Sequence, residues 1–478
     1  MRIVSDRECC GCAACCDICP EDAVSMQDTG GFWRPVTDEA HCTGCGLCRR
    51  VCPARKSSHA GRKQDGFRDK TDGRKQSRTE DVTDDRKQGG MSDGTDAGEK
   101  SCLEDIEKSR CYAAWSRDKK RHYHSASGGL AGELSEEVIR SGGFVAGVIF
   151  DSGTGIARHI VTDRVSDIPR ISKSKYVLSN KTGVYRETEK RLADGQEGLF
   201  IGVPCEVNAV YAYLDARNPG LTGKLITADL LCHGGSSPRC LREHLAYVSR
   251  GKHVRDVTFR GGRFDCRLTA WSENWRILYQ GFQYQDAYFK NFMRHCLFQE
   301  ACYVCPFAGG HRQGDITLGD FWGIAEAVAA ENPLQGMNMV LVNSRKGREL
   351  FLKIKSRTVC FERDRQEAVR GNDTLKEPTE KPEEYDRLWR IIPEKGFDAA
   401  MKNVYGESEF YLYWKNRFIY YIQKCRGMIR MVLKFISRIL QGGGLELCSK
   451  TACRIDVCGL PVSFVSLQQH GGNRNVCG

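Results

Sequence analysis

The sequence predicts two folded parts of different class: a small α+β segment over residues 1–55 and a larger α/β domain with a largely parallel sheet over residues 109–395. Three observations carry this. Ten of the 25 cysteines fall in the first 53 residues, in two runs of matching spacing. Residues 61–96 then form a polar repeat with almost nothing to bury. Beyond Cys111, short apolar runs alternate with helical periodicity, the pattern of βαβ units.

In the first run, Cys9, Cys12, Cys15 and Cys19 follow C-x2-C-x2-C-x3-C with Pro20 directly behind, and Cys42, Cys45, Cys48 and Cys52 repeat it ahead of Pro53. This is the ligand run of a bacterial-type [4Fe-4S] cluster, and two copies define an α+β bacterial-type dicluster ferredoxin domain. A tight loop wraps three corners of a cubane, so the fourth thiolate of each cluster comes from the other run. Cys9, Cys12, Cys15 and Cys52 are therefore assigned to one cluster, and Cys42, Cys45, Cys48 and Cys19 to the other. Cys10 and Cys16 fall outside the pattern and read as bystanders. A disulfide framework does not suit so long a chain, and zinc prefers paired C-x2-C motifs to triplets.

The 478 residues leave room for about three domains. Cluster ligands and charges lie within ten residues of Met1, so no signal peptide fits and a cytoplasmic location is expected. Net charge is +11, and residues 408–440 alone contribute seven basic side chains against Glu409.

Residues 56–108 read as a disordered charged linker. Within it the twelve-residue units "GRKQDGFRDKTD", "GRKQSRTEDVTD" and "DRKQGGMSDGTD" hold nine basic and nine acidic side chains, with Phe67, Val82 and Met91 the only larger apolar groups. Such a composition cannot offset the entropy of ordering. A zero net charge also excludes a nucleic-acid arm, which must displace counterions from phosphate, and no nucleic-acid partner is expected.

In the larger domain, residues 143–151, 198–203 and 224–231 read as buried strands, and Val207, Val210 and Leu214 mark a helix between the last two. Ligands of such sheets sit beyond the carboxyl ends of the strands. There lie Pro204, Cys205 and Glu206 after one strand, and Cys232, His233 and two glycines after the other. With Cys302 and Cys305 of "CYVCPF", Cys205 and Cys232 make four thiolates for a third cluster. Zinc would use the same four, and inert buried thiols are the plainer alternative for Cys205 and Cys232; spacing leaves all three open. A turn of small residues, with Ser125, Ser127, Gly128 and Gly129, precedes a helical face of Leu130, Leu134, Val138 and Ile139, so backbone N–H groups and the helix dipole favour an anion there. An ordinary N-cap accounts for the turn equally well. Lys173 and Lys175 would neutralise phosphate and Tyr176 would stack on a planar ring; a solvated basic turn is the alternative.

Taken in order, "SASGG", "GGFVAGVIFD" with His159 after it, "KSKYV", "GVPCEV", "LLCHGGSSP", "CYVCPF" and "GDITLGDFWG" resemble the successive blocks of the coenzyme F420 hydrogenase/dehydrogenase beta-subunit family, over roughly residues 110–325. The resemblance implies FAD on the Ser125, Ser127, Gly128, Gly129, Lys173, Lys175 and Tyr176 set, and a [4Fe-4S] cluster on Cys205, Cys232, Cys302 and Cys305. It implies an iron–sulfur flavoprotein oxidoreductase that moves electrons between clusters and a hydride carrier, F420 among the candidates. A redox partner is implied too, such as a ferredoxin or a hydrogenase or dehydrogenase subunit. The other reading is an electron-transfer subunit that relays electrons to a partner enzyme and has no substrate of its own. His233 and Asp320 are polar groups in the right blocks, for proton delivery or for structure; no residue is singled out as catalytic.

Residues 396–442 are expected to be a basic amphipathic helical region, with Arg426, Arg430, Lys434 and Arg438 at four-residue intervals. It would pack on protein, or lie as a peripheral contact on an anionic membrane through 410–440. Residues 443–478 read as an irregular tail, whose Cys448, Cys453, Cys458 and Cys477 have no ligand spacing.

Overall fold

The computed structural model describes residues 3–55, 110–261, 265–324, 328, 336–405, 455–457 and 460–462. The linker repeat and the basic 410–440 stretch lie outside the described residues. No described helix is long and apolar enough to cross a membrane.

The N-terminal segment has the expected α+β form. Strands β1 (Val24–Thr29) and β2 (Phe32–Thr37) make an antiparallel hairpin through Gly30 and Gly31, which hold φ of +61° and +89°, a backbone region that glycine enters without strain. One short helix, Ala14–Asp17, begins at the second and third ligand positions of the first run, and another, Leu47–Arg50, follows Cys45.

The larger domain is built on an eight-stranded sheet. Its strands are β3 (Arg110–Ser116), β4 (Phe144–Asp151), β5 (Ile156–Thr162), β6 (Gly198–Gly202), β7 (Leu225–Leu230), β11 (Ile316–Asp320), β12 (Asn338–Val342) and β13 (Thr358–Arg363). A separate antiparallel three-stranded sheet contains β8 (Asp256–Gly261), β9 (Asp265–Trp271) and β10 (Ile277–Phe282). The large sheet runs β13-β3-β12-β11-β7-β6-β4-β5. Its middle pairs, β4 with β6, β6 with β7 and β7 with β11, are parallel; the pairs flanking them are antiparallel. The three strands read from the apolar runs are β4, β6 and β7. The helix between the last two is Pro204–Arg217, which opens on a proline whose missing N–H costs nothing at a first helical position. β6 is buried along its whole length, as a strand covered on both faces must be.

The helix Leu130–Arg140 covers one face of the sheet through Leu130, Leu134 and Val138 against Val145, Leu199 and Ile316. On the other face Phe144, Phe200, Val207 and Tyr213 form a cluster that also takes in Cys12, Ala14, Ile18 and Val51 of the N-terminal segment. The two parts therefore share a core within one compact unit, residues 1–409, instead of being two beads on a tether. That unit runs past the boundary expected at 395: the helix Phe397–Tyr405 buries Phe397, Ala400 and Met401 against Leu245, Tyr288 and Ile392. In the second unit, residues 410–478, the described residues form a small antiparallel hairpin, Ile455–Val457 with Leu460–Val462, within the stretch expected to be irregular.

Candidate functional site

The cysteine runs are brought together in the crossed arrangement. Cys9, Cys12, Cys15 and Cys52 are buried and close enough for their charges to interact. Burial pushes the Cys9 and Cys52 thiols up to about 12. Cys19 lines a separate small hollow with Cys42, Cys45 and Cys48.

Residues 181–186 seat the first run on the sheet domain. The Asp17 carboxylate accepts the N–H groups of Gly183 (2.7 Å) and Tyr185 (2.9 Å), capping the helix Val184–Ala193 from the other part of the chain. The Tyr185 hydroxyl donates to the Cys12 carbonyl at 2.7 Å. Arg186 donates to the carbonyls of Asp17, Cys16 and Cys19 at 2.6–3.1 Å. On the opposite flank the Gln299 amide donates to the Cys10 carbonyl at 3.0 Å.

Beyond the carboxyl ends of β6, β7 and β11 lies a cavity of about 310 Å³, at the position where ligands of open α/β sheets bind. One wall carries Cys205, Cys232, Cys302 and Cys305, together with Cys10. Cys205 follows β6 as the second residue of its helix, and Cys232 follows β7. Cys302 ends a short 3-10 turn and accepts the Gly235 N–H at 3.2 Å. Burial raises the Cys302 thiol to about 12, and burial with the neighbouring Cys302 and Cys305 raises Cys232. A hydrogen bond with Cys10, then burial, raises Cys205. A metal centre here would have to displace those protons, which makes loading pH-dependent. Cys10 is thus no bystander in position: one residue after a first-run cysteine, it stands against Cys205. Spacing could not reveal this, because the contact is made by docking and not by local sequence. Among the described residues no three His, Cys, Asp or Glu side chains converge tightly enough for a single metal ion, in this wall or in the ferredoxin runs.

The opposite wall carries Ser125, Ser127, Gly129, Lys173, Lys175 and Tyr176. Gly129 caps the helix Leu130–Arg140 at φ +86°, and the first helical N–H, of Leu130, donates to the Asn338 side chain at 3.2 Å. Gly128 lies behind the wall, where a Cβ would stand 2.4 Å from the Ala114 carbonyl oxygen. Ser125 spends its hydroxyl on the Arg121 carbonyl at 2.7 Å, whereas the buried Ser127 hydroxyl has no protein partner. Lys175 donates to the Arg170 carbonyl, and burial brings its ammonium down to about 7. Tyr176 differs from expectation: its ring is wedged among Phe259, Phe289 and Phe292, centroids 4.6–5.5 Å apart, and so is already stacked on protein.

Three further buried oxygens on the cavity wall lack a hydrogen-bond partner: Asp320 Oδ1, Asn372 Oδ1 and Thr374 Oγ1. Asp320 uses its other oxygen to accept from Arg260 at 2.6 Å. Buried polar atoms are rarely left unmatched, so this wall is shaped for a polar ligand. Arg260, Asn372 and Thr374 escaped the sequence reading, since each comes from an element with no motif of its own. His233 lines the same cavity, and burial lowers its pKa.

Residues 196–367 match the family described as coenzyme F420 hydrogenase/dehydrogenase, C terminus of the beta subunit, and residues 35–55 match the 4Fe-4S binding domain. The chain carries that beta-subunit domain. The matched stretch of the beta-subunit family contains Cys205, Cys232, Cys302 and Cys305, and the 4Fe-4S match contains Cys42, Cys45, Cys48 and Cys52. The Ser125 to Gly129 turn, Lys173, Lys175 and Tyr176 lie ahead of the matched beta-subunit stretch. No curated protein matches the chain. Among solved structures, a chain of the F420-reducing [NiFe] hydrogenase complex from Methanosarcina barkeri, a xenon-derivatised form, is 19% identical, with 63% of this chain and 92% of that chain covered and a TM-score of 0.40. With a 4Fe-4S domain ahead of a beta-subunit domain, this is an iron–sulfur electron-transfer chain of the F420 hydrogenase/dehydrogenase kind.

Proposed function

We propose that the chain is an iron–sulfur flavoprotein oxidoreductase that passes electrons between [4Fe-4S] centres and a hydride-carrying small molecule through FAD. One observation carries the reading: a single cavity has thiols on one wall and unmatched buried polar atoms beside a glycine turn on the other. Cys9, Cys12, Cys15 and Cys52 would hold one cluster, Cys42, Cys45, Cys48 and Cys19 a second, and Cys205, Cys232, Cys302 and Cys305 a third. A flavin exchanges single electrons with clusters and hydride equivalents with an organic carrier, which joins the two halves of the task. The protein's own residues bind and orient. The 125–129 turn and Lys173 meet phosphate oxygens at the start of the helix Leu130–Arg140. The free oxygens of Asp320, Asn372 and Thr374 accept N–H or O–H groups, and the Arg260 ion pair fixes Asp320 in place. F420 is the carrier the family description names, and a redox protein or partner subunit would supply or take the single electrons.

Anaerobically reconstituted full-length protein should hold about twelve irons, by cubane stoichiometry, and one flavin per chain. Cys302→Ala should lower iron by about four with the flavin retained. Full iron in that variant would remove the third cluster, and clusters without any flavin would leave a relay subunit with no substrate of its own.

A further inference from the structure

Lys181 is 1% exposed, and it lies between the two thiol groups. Its ammonium donates to the Ser179 carbonyl at 2.6 Å, to the Glu206 carboxylate at 2.9 Å and to the Gly11 carbonyl at 3.4 Å. Gly11 is inside the first cysteine run, next to Cys10 and Cys12. Glu206 follows Cys205 on the other side. The second carboxylate oxygen of Glu206 accepts the Val203 N–H at 2.9 Å and faces His159 Nε2 at 3.6 Å. Burial keeps His159 neutral, with its pKa lowered to about 4. The site is therefore one cation and one anion, arranged with the cation toward the first run.

A buried ion pair is a weak device for stability, because taking both charges out of water costs about what their attraction returns. An apolar pair of the same volume would fill this place at least as well. What an apolar pair cannot supply is a fixed positive charge in a medium of low dielectric constant. Reduction adds an electron to a cluster, and cluster potentials respond to net charge and hydrogen bonding around the sulfurs. An ammonium held by the Gly11 peptide favours the reduced state of the nearer centre.

We propose that Lys181 is a positioning residue that raises the reduction potential of the centre held by the first cysteine run, and so biases which way electrons pass between that run and the Cys205 wall. The proposal rests on the reading of these thiols as cluster ligands. It assigns Lys181 no contact with iron or with substrate.

The test compares Lys181→Met and Lys181→Arg in anaerobically reconstituted full-length protein, by iron content and by redox titration followed with electron paramagnetic resonance. Lys181→Met should keep wild-type iron and move one cluster signal to more negative potential, while Lys181→Arg leaves that signal near its wild-type value. All signals unmoved in an iron-replete Lys181→Met protein would overturn the proposal. So would an equal displacement in Lys181→Arg, since packing and not charge would then be at work. Where Lys181→Met fails to fold or load, Glu206→Gln decides: it unmasks the ammonium and should shift the signal to more positive potential, and a shift of the other sign, or none, overturns the idea. Wild-type protein that takes up no iron would instead defeat the cluster reading itself.

Discussion

His244 shows what a single buried side chain contributes here. From the helix Pro238–Val248 its Nε2 meets Asp286 at 2.7 Å and its Nδ1 meets Asp398 at 3.1 Å, joining three helices that carry no site residue. Burial alone would lower the imidazole pKa; the Asp286 and Asp398 carboxylates overcome it and raise the pKa to about 10. A folded pKa above the unfolded value means that the charged form stabilises the fold. That contribution is complete below about pH 6.5, declines as pH rises and is gone above about pH 10, an upper bound of ~5 kcal/mol by linkage. The difference in unfolding free energy between wild type and His244→Gln should therefore shrink steadily between neutral pH and pH 10, as measured by denaturant titration. A difference constant across that range would mean the imidazole is neutral when folded. Nothing in the local sequence marks His244, whereas Cys9, Cys12 and Cys15 announce themselves. Ligands supplied by one tight loop leave a spacing, and partners brought in from 42 and 154 residues away leave none.

Elements were more legible than their ends. The strand-helix-strand unit of β6, Pro204–Arg217 and β7 could be read because apolar periodicity switches from continuous to helical and back over a short stretch. The docking of the N-terminal segment could not, because its decisive contact is an Asp17 carboxylate capping a helix in another part of the chain. Asp17 looks like one more polar residue in a cluster loop. Its role is testable as a cap: Asp17→Ala should cost about 1 kcal/mol, as is typical of lost N-caps, while Asp17→Asn, itself a good cap, should cost little. Chemical denaturation of the two variants measures this. Equal losses in both would show that the negative charge, and not the hydrogen-bond acceptor, holds the helix Val184–Ala193 to the first run.

At the scale of the whole molecule, composition alone would have the ferredoxin segment roam on its tether, with linker length setting its effective concentration at the sheet domain. The shared core of Cys12, Ala14, Ile18 and Val51 with Phe144, Phe200 and Tyr213 changes that expectation. Apolar burial of this kind contributes about 25 cal/mol per Å², and the Asp17, Tyr185 and Arg186 bonds add direction. Removing residues 61–96 leaves residues 56–60 and 97–109, about eighteen in all, which reach about 60 Å when extended. That is ample to rejoin two docked parts. The shortened protein should therefore bind the same iron, unfold in one transition within a degree or two of wild type, and transfer electrons between the two parts at an unchanged rate. A rate that rises or falls with stepwise trimming of the repeat, read by stopped-flow reduction, would mean that the N-terminal segment leaves its seat during turnover and that the tether governs its return.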